Sequence, residues 1–431
     1  MTSTPSASDG NHEPGNLPRV MPVRQQSQII QEVTGDRLDK VLPVAMREAG
    51  LDMWIVLCQE DDLDPVFTSL IPMDTWCPIL QMLVFFDRGP ERGVERINLS
   101  GTNTRGLYDW PYRGQVEVDQ WRLLREIVAE RDPQRIGINV GAVQWAAGGL
   151  THNLYLQLCE QLPSPYCERL VSAERLVTRW LATLSDRELL LFEHVVRLSK
   201  AIIAECYSHR VIVPGVTTID DLVWHYWQRC ADLGLDVSFR PHFGIIRSQA
   251  DQEIHGTEDG VIRPGDLLHC DVGLRYLRLN SDHQQAAYVL RPGETAAPEG
   301  LDALMRACTR LQDVFMGEFA RGLTGNELLS RILARARREG IPQPKVYSHS
   351  LGLYLHEPGP LIGLPWEQEH CAGRGDVPLE YNYAFTMELS VGGPVAEWGG
   401  QVVRLGQEED VCYTESGCRV IHGRQTAIRL I

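Results

Sequence analysis

At 431 residues the chain is too long for one core, and at roughly 100 to 200 residues per domain it is expected to hold two. Hydrophobic content of 43% with 23% charged residues is ordinary for a soluble globular protein and excludes a wholly disordered or fibrous chain. A formal charge of −16 without a Lys/Arg stripe argues against a nucleic-acid partner, because a phosphate backbone is bound by clustered cations that displace counterions.

Met1 to about Asn16 is dominated by Ser, Thr, Pro, Gly and Asp and is expected to be a flexible, disordered tail over residues 1–16. The N-terminus lacks a basic region followed by an apolar one, and the chain has no run of about 18 apolar residues, so neither a secretory signal nor a membrane span is predicted. A cytoplasmic protein with no membrane partner is the expectation. Eleven Cys, an odd set without a C-x-x-C pair, disfavour a disulfide framework and a thiolate zinc site and predict reduced, mostly buried thiols.

Residues Asp36 to Ala49 carry Leu38, Val41, Leu42, Ala45 and Met46 at helical spacing and stop at Gly50. Short apolar runs then read as strands over Met53–Cys58, Ile79–Phe86, Arg96–Leu99 and Arg135–Val140, with a helix over Val118–Asp132. Strands separated by helices predict an α/β N-terminal domain over residues 17–180. A new start follows at Ser185-Asp186-Arg187-Glu188, a capping box whose side chains can satisfy orphan donors at a helix N-terminus, and the helix behind it is expected to reach about His209. Pro214-Gly215 breaks the chain, Thr218-x-x-Asp221 opens a second helix through Asp232, and after residue 240 the pattern is mainly strand, with one helical stretch over Leu301–Glu339. The second domain is therefore placed at 181–431.

Chemistry concentrates in that second domain. In Leu267 to Val272, alternation puts Leu268, Cys270 and Val272 on one face and His269 and Asp271 on the other. Eleven residues after Asp271 stands Asp282, within reach if the chain turns back as a neighbouring strand; either Asp taken alone reads more simply as a turn or strand-end residue. His349 and His356 lie seven residues apart around Gly352, and a lone His is more often a satisfied core or surface group than a ligand. Ala384, Thr386 and Glu388 share a strand face, and Glu388 is a carboxylate inside an otherwise apolar run, costly unless paired or coordinated. Glu408-Glu409-Asp410 precede a β-rich stretch and would pass alone for a solvated loop. Four carboxylates and one imidazole suit Mn, Fe, Co or Zn. Two such ions, about 3.5 to 4 Å apart, can share a hydroxide and polarise a carbonyl, the chemistry of C–N bond hydrolysis.

The order of these motifs resembles the pita-bread metallopeptidase family, which includes methionine aminopeptidase, aminopeptidase P, prolidase and the metal-free relative creatinase. The matching features are His255-Gly256, Gly265-Asp266 through Asp271-x-Gly273, Ser281-Asp282, His349-x-Leu-Gly352 with His356-Glu357, Thr386-Met-Glu388, and Glu408 six residues before Thr414. They cover essentially residues 181 to 431, and the first half looks like the creatinase-like N-terminal domain of the prolidase, aminopeptidase P and creatinase branch. The resemblance implies an α+β pita-bread catalytic domain and a dinuclear centre of two divalent ions, Mn first. Asp282 would chelate one metal, Asp271 and Glu408 would bridge, and His349 with Glu388 would complete the other shell. Glu388 would also be the general base, with His255 and His356 beside the substrate. Glu409 and Asp410 are close rivals to Glu408, which fits the family spacing to Thr414.

Two departures touch the pocket: Asp282-His283-Gln284-Gln285 stands where many members have Asp-x-Thr-Arg, and Glu388-Leu389-Ser390 where they have Glu-Pro-Gly. The first function expected is an Xaa-Pro aminopeptidase or dipeptidase acting on short peptides through a metal-bridging hydroxide. One alternative is a metal-dependent hydrolase or lyase of a non-peptide small metabolite, and another is a catalytically silent binding protein. The resemblance further implies a homodimer.

Overall fold

Apolar runs spaced by helical segments build an α/β layer in the first half of the chain. In the computed structural model, which describes residues 17–431, α1 (Val23–Ala49) leads into β1 (Met53–Gln59) and the one-turn helix α2 (Phe67–Leu70). Then follow β2 (Leu80–Asp87), β3 (Val94–Asn98), α3 (Val118–Arg131), β4 (Ile136–Ile138), α4 (His152–Gln161), β5 (Leu170–Ser172) and α5 (Glu174–Ala182). The tail expected over residues 1–16 lies outside the described residues. Gly50 ends α1 in the left-handed region at φ 65°, with Leu51 N–H bonded to Met46 O at 3.0 Å, the turn that a residue without Cβ adopts cheaply. That helix starts at Val23 rather than Asp36, because buried Ile30, Val33 and Thr34 carry its inner stripe one further stretch upstream. The strand order is β3-β2-β1-β4-β5, with β1, β4 and β5 parallel and β2 and β3 antiparallel. Met53, Ile55, Leu57, Met82, Val84, Leu124, Ile138, Leu154 and Leu158 form one core cluster on it.

The chain divides into two compact units, one of Met21–Arg187 with Glu357–Gly359 and one containing Glu188–His356 and Pro360–Ile431. The elements of the second are α6 (Asp186–Cys206), α7 (Ile219–Asp232), β6 (Asp236–Val237), β7 (His242–Ile246), α8 (Gln249–His255), β8 (Leu267–Val272), β9 (Leu274–Tyr276), β10 (Leu279–Asn280) and β11 (His283–Tyr288). They continue with α9 (Glu299–Gly317), α10 (Gly325–Arg338), β12 (Lys345–Tyr347), β13 (Ser350–Leu351), β14 (Tyr383–Val395), β15 (Gln401–Thr414), β16 (Gly417–Val420) and β17 (Arg429–Leu430). Thr218 and Asp221 form a reciprocal capping box at the start of α7. The single helix expected over Leu301–Glu339 is two, because Thr324 and Glu327 form another capping box that restarts the chain as α10. The short helix α8 interrupts the expected strand region, capped by Ser248 on the Asp251 amide.

A nine-stranded, mainly antiparallel sheet runs β12-β14-β15-β11-β8-β7, with β13 on β14, β16 on β15 and β17 on β11. Leu301, Leu304, Met305, Leu311, Val314 and Phe315 line the buried stripe of α9, which packs on β14 and β15; each such burial contributes about 1.5–3 kcal/mol. Among the described residues no helix is long and apolar enough to cross a membrane. All eleven cysteines are free thiols, eight of them buried.

Candidate metal centre

Register across the sheet assembles the site. His242 on β7 pairs with Asp271 on β8, Asp271 with Gln284 on β11, Gln284 with Glu408 on β15, Glu408 with Glu388 on β14, and Glu388 with Tyr347 on β12. Directly opposed residues point to the same face, so one row of six strands presents three carboxylates together. Asp282, two residues before Gln284, falls on that face by the same alternation. His349 sits between β12 and β13, held on β14 by Thr386 N–H to His349 O at 3.0 Å and by His349 N–H to Thr386 Oγ1 at 3.3 Å.

Asp282, His349 and Glu408 are buried, and one potential ligand atom from each lies within 4.8 Å of the others. His349 Nδ1 is 3.1 Å from Ser350 O; a carbonyl only accepts, so that nitrogen carries the proton and the bare Nε2 faces Asp282 Oδ2 at 3.8 Å. Burial, then neighbouring His356, pushes the His349 imidazole down to about 3, so it is the neutral, ligating form. Burial first, then Asp271, pushes the Asp282 carboxyl well above its ordinary range, with Asp410 and Glu388 adding to it. Glu408 is raised likewise by burial, then by Asp282, Glu388 and Asp271. At the more open edge, burial takes Asp271 up to about 6 and Glu388 up to about 7. Asp282 Oδ1 and both Glu408 oxygens are buried and accept no hydrogen bond. Unpaired buried carboxylate oxygens cost several kcal/mol, and divalent cations would satisfy them, so the donor set fits the hard or borderline ions named above.

The model of metallopeptidase family M24 matches residues 191–419, more than half of the chain and the whole of this constellation. The chain belongs to metallopeptidase family M24. It is a peptidase-type hydrolase of the pita-bread fold, from a family that binds divalent metal ions. The fold is similar to that of an X-Pro aminopeptidase from Thermotoga maritima, with TM-score 0.62 and 17% identity over 90% of this chain and 100% of that one. An Xaa-Pro dipeptidase from Bacillus anthracis gives TM-score 0.61 and 16% identity, covering 93% of this chain and 100% of that one. The N-terminal domain of FACT complex subunit SPT16 from Cicer arietinum has the same fold at TM-score 0.57 and 12% identity, over 92% of this chain and 97% of that one. Comparison with curated proteins returns no match.

Within this M24 fold the two remaining candidate histidines are both exposed. His356 is solvent-accessible, with its ring 4.3 Å from that of His349 and tilted by 40°. Exposed His255 ends α8. Gln249 N–H at the start of α8 bonds Gln401 Oε1 on β15.

The loop over residues 361–378, unusual in sequence, is pinned at three points. Ser348 and Ile362 exchange backbone bonds of 3.0 and 2.8 Å, Gln368 bonds the backbone of Val346 in both directions, and Asn326 does the same for Cys371. Leu361 N–H donates to Arg374 O at 3.1 Å, which ties Arg374 one residue from the Ser348–Ile362 bridge that precedes His349. Burial first, then the Arg374 charge, holds His356 below its ordinary range, and Arg374 depresses His349 as well. Nothing in its local sequence, Ala372-Gly373-Arg374-Gly375, marks Arg374 as a pocket residue.

The family departures also acquire places. Gln284 lies at the centre of the row, with Oε1 3.0 Å from His269 Nε2, and its amide bonds the Glu388 carboxylate and lowers it against the effect of burial. Ser390 takes a hydrogen bond from Arg404 Nη1 at 3.1 Å, away from the row. The two acids beside Glu408 are engaged elsewhere: Glu409 pairs with Lys200 on the opposite face, and Asp410 accepts the Asp282 amide.

Proposed function

We propose that the chain is a dinuclear metal-dependent Xaa-Pro peptidase, a dipeptidase before an aminopeptidase. The observation that carries the reading is the buried Asp282–His349–Glu408 group with its unbonded carboxylate oxygens, flanked by Asp271 and Glu388. Those five residues would hold two divalent cations, Mn first. Such ions supply Lewis-acid activation of a scissile carbonyl and of the attacking water. Glu388, half-buried at the edge of the group, would take a proton from that water. His356, accessible beside His349, would pass a proton to the departing amine. Neutral His349 and the Gln284 amide keep the donor atoms oriented. His255, exposed at the end of α8, would sit beside the substrate, as its place in the motif order implies.

Arg374 supports the dipeptidase. A guanidinium offers five donors in a planar fork suited to a carboxylate, and its charge is felt at His349, His356 and Tyr347. A dipeptide brings its free carboxylate close to the scissile bond, whereas a longer chain carries it away. The Gln284 amide in the floor of the site, in place of the usual Thr, supports a second reading, hydrolysis of a small non-peptide C–N substrate.

Metal analysis of the purified chain, followed by hydrolysis of Xaa-Pro dipeptides, tripeptides and a panel of cyclic and N-methylated metabolites with Mn added, tests both. Bound metal with dipeptide cleavage is expected. Bound metal with cleavage of metabolites alone moves the function to the second reading, and a protein that takes up no divalent metal removes both in favour of a silent binding scaffold.

A further inference from the structure

Successive residues of a strand face opposite sides of a sheet, so the two acids after Glu408 must separate. Glu409 turns toward α6, where its carboxylate meets Lys200 Nζ and accepts Gln425 N–H at 2.7 Å. Lys200 Nζ also bonds the carbonyls of His422 and Gly423 at 2.9 and 2.6 Å, which closes a buried, saturated polar knot behind the sheet. Asp410 returns to the face of Glu408 and is fully buried.

The Asp410 carboxylate accepts the backbone N–H of Asp282, with both oxygens at 3.3 Å. The ladder between β11 and β15 is paired only at Gln284 and Glu408, so at Asp282 a side chain takes the place of a strand partner. On its other side, Asp410 Oδ2 is 3.6 Å from His283 Nε2, and His283 Nδ1 is 3.3 Å from Ser199 Oγ on α6. Consecutive residues of α6, Ser199 and Lys200, thus reach both acids that follow Glu408. The backbone of Asp282 and the strand carrying Glu408 are fastened to each other through Asp410 and to α6 behind them.

We propose that Asp410 is a positioning residue of the metal centre: by holding the Asp282 amide it sets the separation of the Asp282 and Glu408 donor oxygens, with α6 as its rigid backing. Asp410 itself is not a ligand. The inference rests on the metal-centre reading above and deepens it, since the spacing of the donors decides how tightly they share a cation.

The test is calorimetric titration of the chelator-stripped full chain with Mn2+, for wild type, Asp410→Leu and Asp410→Asn, with circular dichroism and apo-protein melting recorded alongside. Leu is close to Asp in shape and suits a buried position, which favours folding where Asp410→Ala would leave a cavity. Asp410→Leu is expected to keep the wild-type number of bound ions but to weaken them about tenfold or more, the usual effect of losing an outer-shell partner. Asp410→Asn keeps an acceptor for the amide and is expected to restore binding to within about threefold of wild type. A folded Asp410→Leu protein that binds Mn2+ with wild-type affinity while melting lower would make Asp410 merely structural and overturn the proposal. Loss of one bound equivalent in Asp410→Asn would make it a ligand and overturn it equally. A wild-type chain that binds no Mn2+ fails the underlying metal reading, an outcome distinct from both.

Discussion

Replacing Lys200 by Met removes the ammonium that neutralises Glu409, at a place where the two side chains are 4% and 0% exposed. Three acceptors lose their donor at once: the Glu409 carboxylate and the carbonyls of His422 and Gly423. Breaking a buried ion pair by deleting one partner costs about 3–5 kcal/mol, because the remaining charge is stranded. Each orphaned carbonyl adds about 1–3 kcal/mol, partly offset by the apolar surface that Met buries. A net loss of about 4 kcal/mol is expected, a large part of the roughly 5–15 kcal/mol that a folded domain has to lose. Guanidinium chloride unfolding of the metal-stripped protein, followed by tryptophan fluorescence, reads it as a lower midpoint at unchanged slope. The double variant Lys200→Met with Glu409→Met removes the stranded charge but leaves the His422 and Gly423 carbonyls and the Gln425 N–H unpaired, so it is expected to recover only part of the stability, with a coupling of about 3 kcal/mol between the sites. If Lys200→Met alone costs less than about 1 kcal/mol, the ammonium is not the counter-ion that the geometry assigns it to be.

Asp271→Ala is expected to abolish activity and lower bound metal by elemental analysis. His356→Ala should retain its metal and lose turnover by about a hundredfold or more, and an emptied site there would reverse the two roles. In the metal-free protein the raised carboxyls make folding stability fall with rising pH. Asp271 and Glu388 titrate at about 6 and about 7 when folded against ordinary values of 3.8 and 4.5, so the native state retains protons that the unfolded chain has shed. Their contribution is fully present below about pH 4 and is lost as pH rises through about 7, and Mn2+ should restore it; a stripped protein that melts higher at pH 8 than at pH 5.5 would contradict this assignment. Arg374→Met is expected to raise KM about tenfold for an Xaa-Pro dipeptide while changing that of the C-terminally amidated dipeptide little; equal effects on both would dissociate Arg374 from the carboxylate.

Much of the candidate site was legible in the residues themselves because ionisable groups in apolar strands carry their own signal. Glu388 stands out from Tyr383-Ala-Phe-Thr-Met, Asp271 is placed by alternation with Leu268, Cys270 and Val272, and the capping box at Thr218 marked a helix start that needs only local hydrogen bonds. Even the misread stretch over Leu301–Glu339 carried its correction, since Thr324-x-x-Glu327 has the form of a capping box. These features act over a few residues, where side-chain chemistry and backbone geometry are set by near neighbours.

Register, reach and loop path belong to the tertiary structure. No spacing along the chain announces that Asp271, Gln284, Glu408 and Glu388 form one row, because the pairing that closes it joins Gln284 to Glu408, 124 positions away. The Arg374 charge is felt at the histidines from a long loop that Gln368 and Asn326 pin, and Asp410 is distinguished from Glu408 only by which buried atom each one meets. Residue type and period determine which side chains can do chemistry; which of them share one small volume is set by packing and hydrogen bonds between distant strands, an energy that no local stretch of the chain contains.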